Sequence, residues 1–255
     1  MKSSTTLLIG NTLSFAAVLY SNYLFGSGAA GERSVGEVST LYTMLITPAG
    51  YAFSIWGLIY LLLLGFLAFQ WVAYLRNDAN NSLQPCGIWF LLSNIFNCTW
   101  IFLWVNLALG WSVLVIFGLL ISLIAMLIQL ESYSFSTAWR NRMFIHLPIG
   151  VYLGWIILAT TLNMAVWLQS TKTIGVSSPE NWVLPVVITA VAVYLFLLYQ
   201  HNRKEPALVG VWGFVAIAVS QWNKENSVVW ISLTAAVVLL VLAITKQVNG
   251  IRKAA

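Results

Sequence analysis

Eight long apolar runs, separated by short polar segments, are the feature that most restricts how this chain can fold. Charged residues make up only 7% of the 255 residues, against about 25% in a typical soluble domain. So few charges cannot cover a soluble fold of this length, and the solvent for most of the apolar surface is therefore lipid. Lipid offers the backbone no hydrogen-bond partners, so a spanning chain forms helices or a closed barrel. The runs are continuous and do not alternate with polar residues, which predicts helices.

The predicted fold is an all-α, polytopic transmembrane helical bundle with eight spans. Most runs reach the roughly 20 residues that a helix needs to cross a hydrocarbon core of about 30 Å. The seventh run is the shortest of them. The predicted spans are residues 6–25, 49–74, 87–106, 111–130, 143–169, 182–200, 207–222 and 227–246.

The basic residues support this count and predict the orientation of the chain. Eight spans place nine basic residues on the side that holds both termini, and only Arg33, Lys172 and Lys224 on the other side. Cytoplasmic loops carry the excess of Lys and Arg, so we expect both termini in the cytoplasm. The same distribution explains the net charge of +5 without a nucleic-acid partner. The nine residues are Lys2, Arg76, Arg140, Arg142, Arg203, Lys204, Lys246, Arg252 and Lys253.

The first run has two interpretations. Lys2, an apolar stretch and the small residues at positions 26–31 together resemble a cleavable signal peptide. Asn11 within the run, and a second span soon after it, favour a retained helix, which is our prediction. Residues 26–47 form the longest segment between two spans, and a loop of this length is usually functional or disordered.

The predicted membrane interior lacks ionisable side chains. Every Asp, Glu, Lys and Arg falls in a loop or at a span end, and His146 lies near the start of the fifth span. Intramembrane ionisable residues mark ion pathways and proton relays, so their absence argues against a proton- or cation-coupled pump. It also argues against carboxylate, metal or histidine catalysis in the bilayer. Cys86 and Cys98 form no metal-ligand or disulfide pattern. The sequence thus predicts no catalytic and no metal-binding residue and favours a non-enzymatic function.

Aromatic and amide side chains occupy the interior in place of charges. Many of the 13 Trp lie at span ends, where an aromatic belt is expected. Three spans carry such residues deeper in the membrane, on one helical face each. These faces comprise Phe53, Trp56 and Tyr60 in the second span, Asn97, Trp100 and Trp104 in the third, and Pro148, Tyr152, Trp155, Ala159 and Asn163 in the fifth.

These three faces have two interpretations. Polar and small residues often hold helices together in membranes, so each face alone is typical of helix packing. Together the three faces predict a shared pocket with flat aromatic walls and a few neutral hydrogen-bonding groups. Such a pocket suits a large, planar, mostly apolar ligand better than an ion or a sugar.

The motifs on these faces resemble those of the TspO/MBR family, the tryptophan-rich sensory proteins that include the mitochondrial translocator protein. The proline-led residues 48–60 end in Trp-x-x-x-Tyr, Asn97 and Trp100 match Asn-x-x-Trp, and residues 152–163 match Tyr-x-x-Trp-x-x-x-Ala-x-x-Leu-Asn. The motifs occur in the family's order within about residues 5–170, and the last three spans have no counterpart in the five-helix family. We therefore predict a five-helix domain at residues 1–170 and a C-terminal extension of about three helices at residues 171–255.

The resemblance implies a bundle that encloses a pocket near the first loop. Members of the family bind porphyrins, haem-like tetrapyrroles and sterols, and they often dimerise. They act as sensors, regulators or transporters, and some bacterial members promote porphyrin breakdown. The ligand-binding residues that the resemblance implies are Trp56, Asn97, Trp100, Trp155, Ala159 and Asn163, with Phe53, Tyr60 and Tyr152 adjacent to them.

On this basis we expect an integral membrane receptor or sensor for a porphyrin or haem-like ligand, with no obligatory cofactor. Trp56 and Trp155 would stack on the ligand, Asn97 and Asn163 would bind its polar edge, and residues 26–47 would cover the site. Uncoupled transport of a small hydrophobic molecule and modification of a pigment are the alternative functions. The expected partners are membrane lipid, the ligand and a second copy of the chain. The expected location is a bacterial cytoplasmic (inner) membrane.

Overall fold

All regular secondary structure in the described part of the protein is helical. The structure, a computed structural model, describes residues 2–29, 33–42, 44–77, 82–133, 139–171 and 180–254. Lys172, which enters the charge pattern above, lies outside these ranges. The α-helices within them are α1 (Lys2–Ser21), α2 (Val35–Leu41), α3 (Ile55–Leu75), α4 (Leu83–Cys86), α5 (Trp89–Val105), α6 (Leu109–Glu131), α7 (Trp139–Asn141), α8 (Leu147–Ser170), α9 (Glu180–Gln200), α10 (Glu205–Gln221) and α11 (Asn226–Ala254). A π-helical turn (Asn22–Gly26) continues α1, another (Arg142–His146) precedes α8, and a 3-10 turn (Gly50–Ser54) leads into α3.

Eight apolar helical stretches correspond one to one with the predicted spans. Among the described residues, six are long and apolar enough to cross a membrane, and α5 and α10 are shorter apolar helices of 17 residues. At 1.5 Å per residue each of the two shorter helices is about 26 Å long, close to the thickness of a hydrocarbon core. The prediction of an all-α polytopic bundle is confirmed.

Helix α6 shows how the apolar runs divide between the protein interior and the surrounding lipid. Ile116 and Leu123 are fully buried, whereas Trp111, Leu114 and Ile121 are exposed on the opposite side. A helix that is apolar on all sides is unsuited to the surface of a soluble protein, because its outer face would expose apolar side chains to water. Such a helix is suited to a membrane, where its outer face contacts lipid. The outer face of α6 is therefore a lipid-facing surface.

Contacts between helices divide the chain into two compact units. Unit 1 comprises Met1–Val38 and Ile55–Ile149, and unit 2 comprises Ser39–Ser54 and Gly150–Ala255. Almost all of α8 thus belongs to unit 2, together with α9, α10 and α11. The division at residue 170 into a five-helix domain and a C-terminal extension stays a prediction.

Within unit 1, a row of hydrogen bonds joins α1 to α3 and α5. Asn11 Nδ2 donates to Gln70 Oε1 at 3.3 Å, and Gln70 Nε2 donates to Ser82 Oγ at 3.3 Å. Further along α1, Ser14 Oγ accepts a hydrogen bond from Asn94 Nδ2 at 3.0 Å. Because a buried amide without a partner is costly in an apolar medium, these bonds fix how α1 packs against its neighbours.

Within unit 2, two glycines four residues apart bring α8 against α10. A Cβ atom added to Gly150 would lie 2.7 Å from Glu205 Cβ, and one added to Gly154 would lie 2.8 Å from Pro206 Cα. Tyr194 of α9 donates its hydroxyl proton to the Gly154 carbonyl at 2.8 Å. Small residues at this spacing allow the backbones of two membrane helices to approach closely. Helices α9 and α10 thus both contact α8, which carries Trp155.

Candidate ligand-binding site

Four aromatic side chains form a ladder across α3 and α5 in unit 1. Trp56 stacks on Tyr60 with ring centroids 5.5 Å apart and on Trp100 at 5.9 Å, and Trp100 stacks on Trp104 at 6.1 Å. These separations lie in the range at which aromatic rings attract one another. Residues four apart share a helical face, so each helix contributes two rings one turn apart. We call Tyr60, Trp56, Trp100 and Trp104 the aromatic ladder.

The two helices contribute differently to the ladder. Trp100 and Trp104 of α5 are 4% and 2% exposed, so their rings are part of the packed interior. Trp56 and Tyr60 of α3 are half-buried. The α3 rings therefore keep surface that a bound molecule can cover, and the α5 rings support them from within unit 1.

The long segment between the first two spans reaches the Trp104 end of the ladder through α2. Trp104 Nε1 donates to the Val35 carbonyl at 3.2 Å. The start of α2 is capped reciprocally, because Ser34 N donates to Glu37 Oε2 at 2.7 Å and Glu37 N donates to Ser34 Oγ at 3.2 Å. The hydrogen bonds with Ser34, above all the one from its backbone, hold the pKa of the Glu37 carboxyl below its usual value. This capping and the Trp104 bond fix the start of α2 beside the ladder.

Asn97 lies one turn before Trp100 on α5 and is fully buried. Its Oδ1 accepts a hydrogen bond from Asn22 Nδ2 at 3.1 Å, and the same nitrogen also donates to the Val18 carbonyl at 2.9 Å. Asn22 begins the π-helical turn after α1. Asn97 therefore takes part in helix packing, and its contact with a ligand stays a prediction.

In unit 2, the predicted site residues lie on α8 and on the 3-10 turn before α3. The rings of Phe53 and Trp155 pack edge to face, with centroids 5.9 Å apart and planes at 85°. Tyr152, Trp155 and Asn163 are at most 2% exposed, and Ala159 is half-buried. The structure thus brings Phe53 to Trp155 in this unit, as it brings Trp56, Tyr60 and Trp100 together in unit 1. A single pocket lined by all nine predicted residues stays a prediction.

The proline-led segment before α3 is bound to α10, an interaction that sequence reasoning missed. Ala49 N donates to the Ala216 carbonyl at 3.0 Å, and Trp212 Nε1 donates to the Ala52 carbonyl at 3.3 Å. The Tyr51 ring packs edge to face on Trp212, with centroids 5.2 Å apart. The sequence did contain one signal, the indole N–H of Trp212 in an apolar helix. A buried indole N–H needs a hydrogen-bond partner, but the sequence does not identify that partner.

A small cavity in unit 2 is separate from the predicted site residues. It is lined mainly by apolar side chains, among them Pro48, Leu158, Val187 and Phe214, and its volume is about 20 Å³. A volume of this size holds about one water molecule. None of the nine predicted residues lines this cavity, and it is too small for a planar ring system.

The fold and the aromatic clusters define an integral, multi-pass helical membrane protein with indole rings gathered on uncharged helices. The family model described as TSPO-like protein matches residues 7–245. The chain therefore belongs to the TSPO-like protein family, and it is a membrane protein of the sensor or transporter type. The match continues through α9, α10 and most of α11, so the C-terminal helices lie within the matched region. No curated protein and no solved structure matches the chain.

Proposed function

We propose that this protein is a membrane receptor or sensor that binds a hydrophobic planar ligand, and that the ligand is a tetrapyrrole. The observation that carries the proposal is the aromatic ladder of unit 1. Flat rings at stacking distance give a surface to which another flat ring system can add by the same offset stacking. The half-buried Trp56 and Tyr60 supply that surface, and Trp100 behind them holds the Trp56 ring in place.

The charge distribution supports an apolar ligand. Helices α3 and α5, which carry the aromatic ladder, contain no Asp, Glu, Lys or Arg. An ion bound beside them would have no charged side chain of these helices to compensate the loss of its hydration. A large planar molecule gains most of its binding free energy from apolar area removed from water, which these helices supply.

We further propose that both termini face the cytoplasm of a bacterial cell. The support is the excess of nine basic residues over three between the two sides of an eight-span topology. The start of α2 would then lie on the opposite side, where its Val35 carbonyl accepts the hydrogen bond from Trp104.

Titration of the purified protein in lipid nanodiscs with protoporphyrin IX tests the proposed function. We expect saturable quenching of tryptophan fluorescence at about one ligand per chain, because the ladder tryptophans would lie within stacking distance of the ligand. Nanodiscs without protein, and nanodiscs with an unrelated helical membrane protein, measure partition of the ligand into lipid. Uptake that does not saturate and equals that of the controls contradicts the proposal. Saturable binding accompanied by ligand flux across proteoliposomes identifies a transporter instead of a receptor.

A further inference from the structure

Gly57 of α3 lies beside open space, unlike the glycines that bring helices together. Gly57 is exposed. A Cβ atom added to it would have no atom of the described residues within 4 Å, apart from its chain neighbours and the backbone of its own helix. Gly118 of α6 in the same unit differs, because a Cβ atom added there would lie 2.9 Å from Phe96 Cε1. Gly118 therefore allows close packing of two helices, whereas the space over Gly57 is unfilled.

The backbone at Gly57 does not require glycine either. Among the described residues, the glycines with positive φ are Gly28 and Gly87, so Gly57 has a conformation that alanine also adopts. Glycine inside a helix is less favourable than alanine, because it loses more conformational freedom on folding. At Gly57 neither a close helix contact nor the backbone conformation offsets this cost. The missing side chain is therefore explained best by a molecule that occupies the adjacent space.

Gly57 is a neighbour of the two half-buried rings of the aromatic ladder. It directly follows Trp56, and Tyr60 comes three residues later, a spacing at which two residues are neighbours on a helix surface. At 1.5 Å per residue, Gly57 lies between Trp56 and Tyr60 along the axis of α3, and those two residues are about 6 Å apart. At about 100° per residue, Gly57 is about 60° from Tyr60 around the helix. The open space thus borders the ladder within unit 1.

The open space lies on the lipid-facing side of α3. Leu61 and Leu64 follow Gly57 at spacings of four and seven residues, so the three residues share one helical face. Both leucines are exposed, at 66% and 51%. The helical stretch Gly50–Leu75 is long and apolar enough to cross a membrane, so its exposed face contacts lipid. A molecule dissolved in the bilayer therefore meets α3 on the face that carries Gly57.

We propose that Gly57 is a specificity-determining residue, because the open space over it receives the edge of a planar ligand that stacks on Trp56 and Tyr60. This inference rests on the proposed function. A tetrapyrrole is wider than an indole, so part of it extends beyond the ring on which it stacks. The missing side chain of Gly57 leaves room for that part, and its place on the lipid-facing side lets an apolar ligand enter from the bilayer.

Substitution of Gly57 by leucine tests this inference, and Leu58→Phe is the control. Both changes add apolar volume to the exposed surface of α3, but Leu58 lies about 160° from Tyr60 around the helix. Each variant is titrated in nanodiscs with protoporphyrin IX, and the shift of the porphyrin Soret absorbance measures binding. We expect Gly57→Leu to weaken binding about ten- to hundredfold, because its side chain overpacks the space that the ligand needs. Leu58→Phe should bind like the wild type.

Measurements without ligand separate binding from folding. We expect Gly57→Leu to unfold at or above the wild-type temperature, because leucine is more favourable than glycine in a helix. Its near-ultraviolet circular dichroism, which reports the packing of the ladder rings, should equal that of the wild type. A lower midpoint or a changed spectrum would show that the space over Gly57 is needed by the protein itself, which overturns the inference.

The binding data distinguish failure of this inference from failure of the proposed function. Wild-type affinity in Gly57→Leu, or an equal loss in Gly57→Leu and Leu58→Phe, overturns the role of Gly57 and leaves the proposed function intact. Absence of saturable binding to the wild type overturns the proposed function together with this inference.

Discussion

Substitution of Gly154 by alanine is expected to destabilise the protein by about 1–3 kcal/mol, the usual cost of forcing an extra methyl group into a packed interior. The added Cβ would lie 2.8 Å from Pro206 Cα, 2.9 Å from Val209 Cβ and 3.0 Å from the Pro206 carbonyl oxygen. Two of these atoms belong to the backbone of α10 and cannot rotate away. Relief of the clash therefore requires α8 and α10 to separate, which loosens the packing of unit 2.

Gly65→Ala is the matched control for this prediction. A Cβ added to Gly65 of α3 would lie 3.6 Å from Phe144 Cδ1, an ordinary van der Waals distance. Alanine is favoured over glycine inside a helix by about 0.5–1 kcal/mol, so this variant should be as stable as the wild type or slightly more stable. Thermal unfolding in one detergent, followed by circular dichroism, compares the two variants. Equal midpoints for Gly154→Ala and Gly65→Ala would contradict the close contact between α8 and α10.

Substitution of Trp56 by alanine is expected to weaken protoporphyrin binding about ten- to hundredfold. Burial of one large apolar side chain against a ligand contributes about 1.5–3 kcal/mol, and each 1.4 kcal/mol corresponds to a factor of ten in the dissociation constant. Trp56 is the half-buried ring that stacks on both Tyr60 and Trp100. Its removal takes away the centre of the surface on which a flat ligand would lie.

Trp111→Ala provides the control, because it removes the same side chain from the lipid-facing side of α6, where Trp111 is 67% exposed. The shift of the porphyrin Soret absorbance measures binding, so that the loss of one tryptophan does not alter the readout. Wild-type affinity in Trp56→Ala, or an equal loss in both variants, would contradict a role of the ladder in binding. Asn97→Ala is a less decisive variant, because it also removes the hydrogen bond to Asn22.

The helical membrane fold could be predicted from the sequence because an apolar run in lipid leaves the backbone few alternatives. The fourth predicted span, which corresponds to α6, shows how accurate the predicted helix ends are. It was predicted to begin at Trp111, and α6 begins at Leu109. Helical periodicity also placed Trp56 with Tyr60, and Trp100 with Trp104, on shared faces. Those pairs are local, so a regular helix is sufficient to bring them together.

Contacts between distant segments could not be predicted in this way. The buried amide of Asn97 indicated a need for a hydrogen-bond partner, but many amides and hydroxyls in apolar helices satisfy the same need. Its partner Asn22 lies 75 residues earlier, and Trp212 bonds to a carbonyl 160 residues away. The packing of α8 with the C-terminal helices was missed for the same reason, since Gly150 and Gly154 indicate a close approach without naming the helix that approaches.

Binding at the aromatic ladder is tested most directly by an experimental structure of the protein in nanodiscs saturated with protoporphyrin IX dimethyl ester. We expect flat density the size of a tetrapyrrole in contact with the Trp56 ring of α3, at stacking distance and roughly parallel to it. Ligand density found only against lipid-facing side chains such as Trp111, with no density at Trp56, would contradict binding by the aromatic ladder.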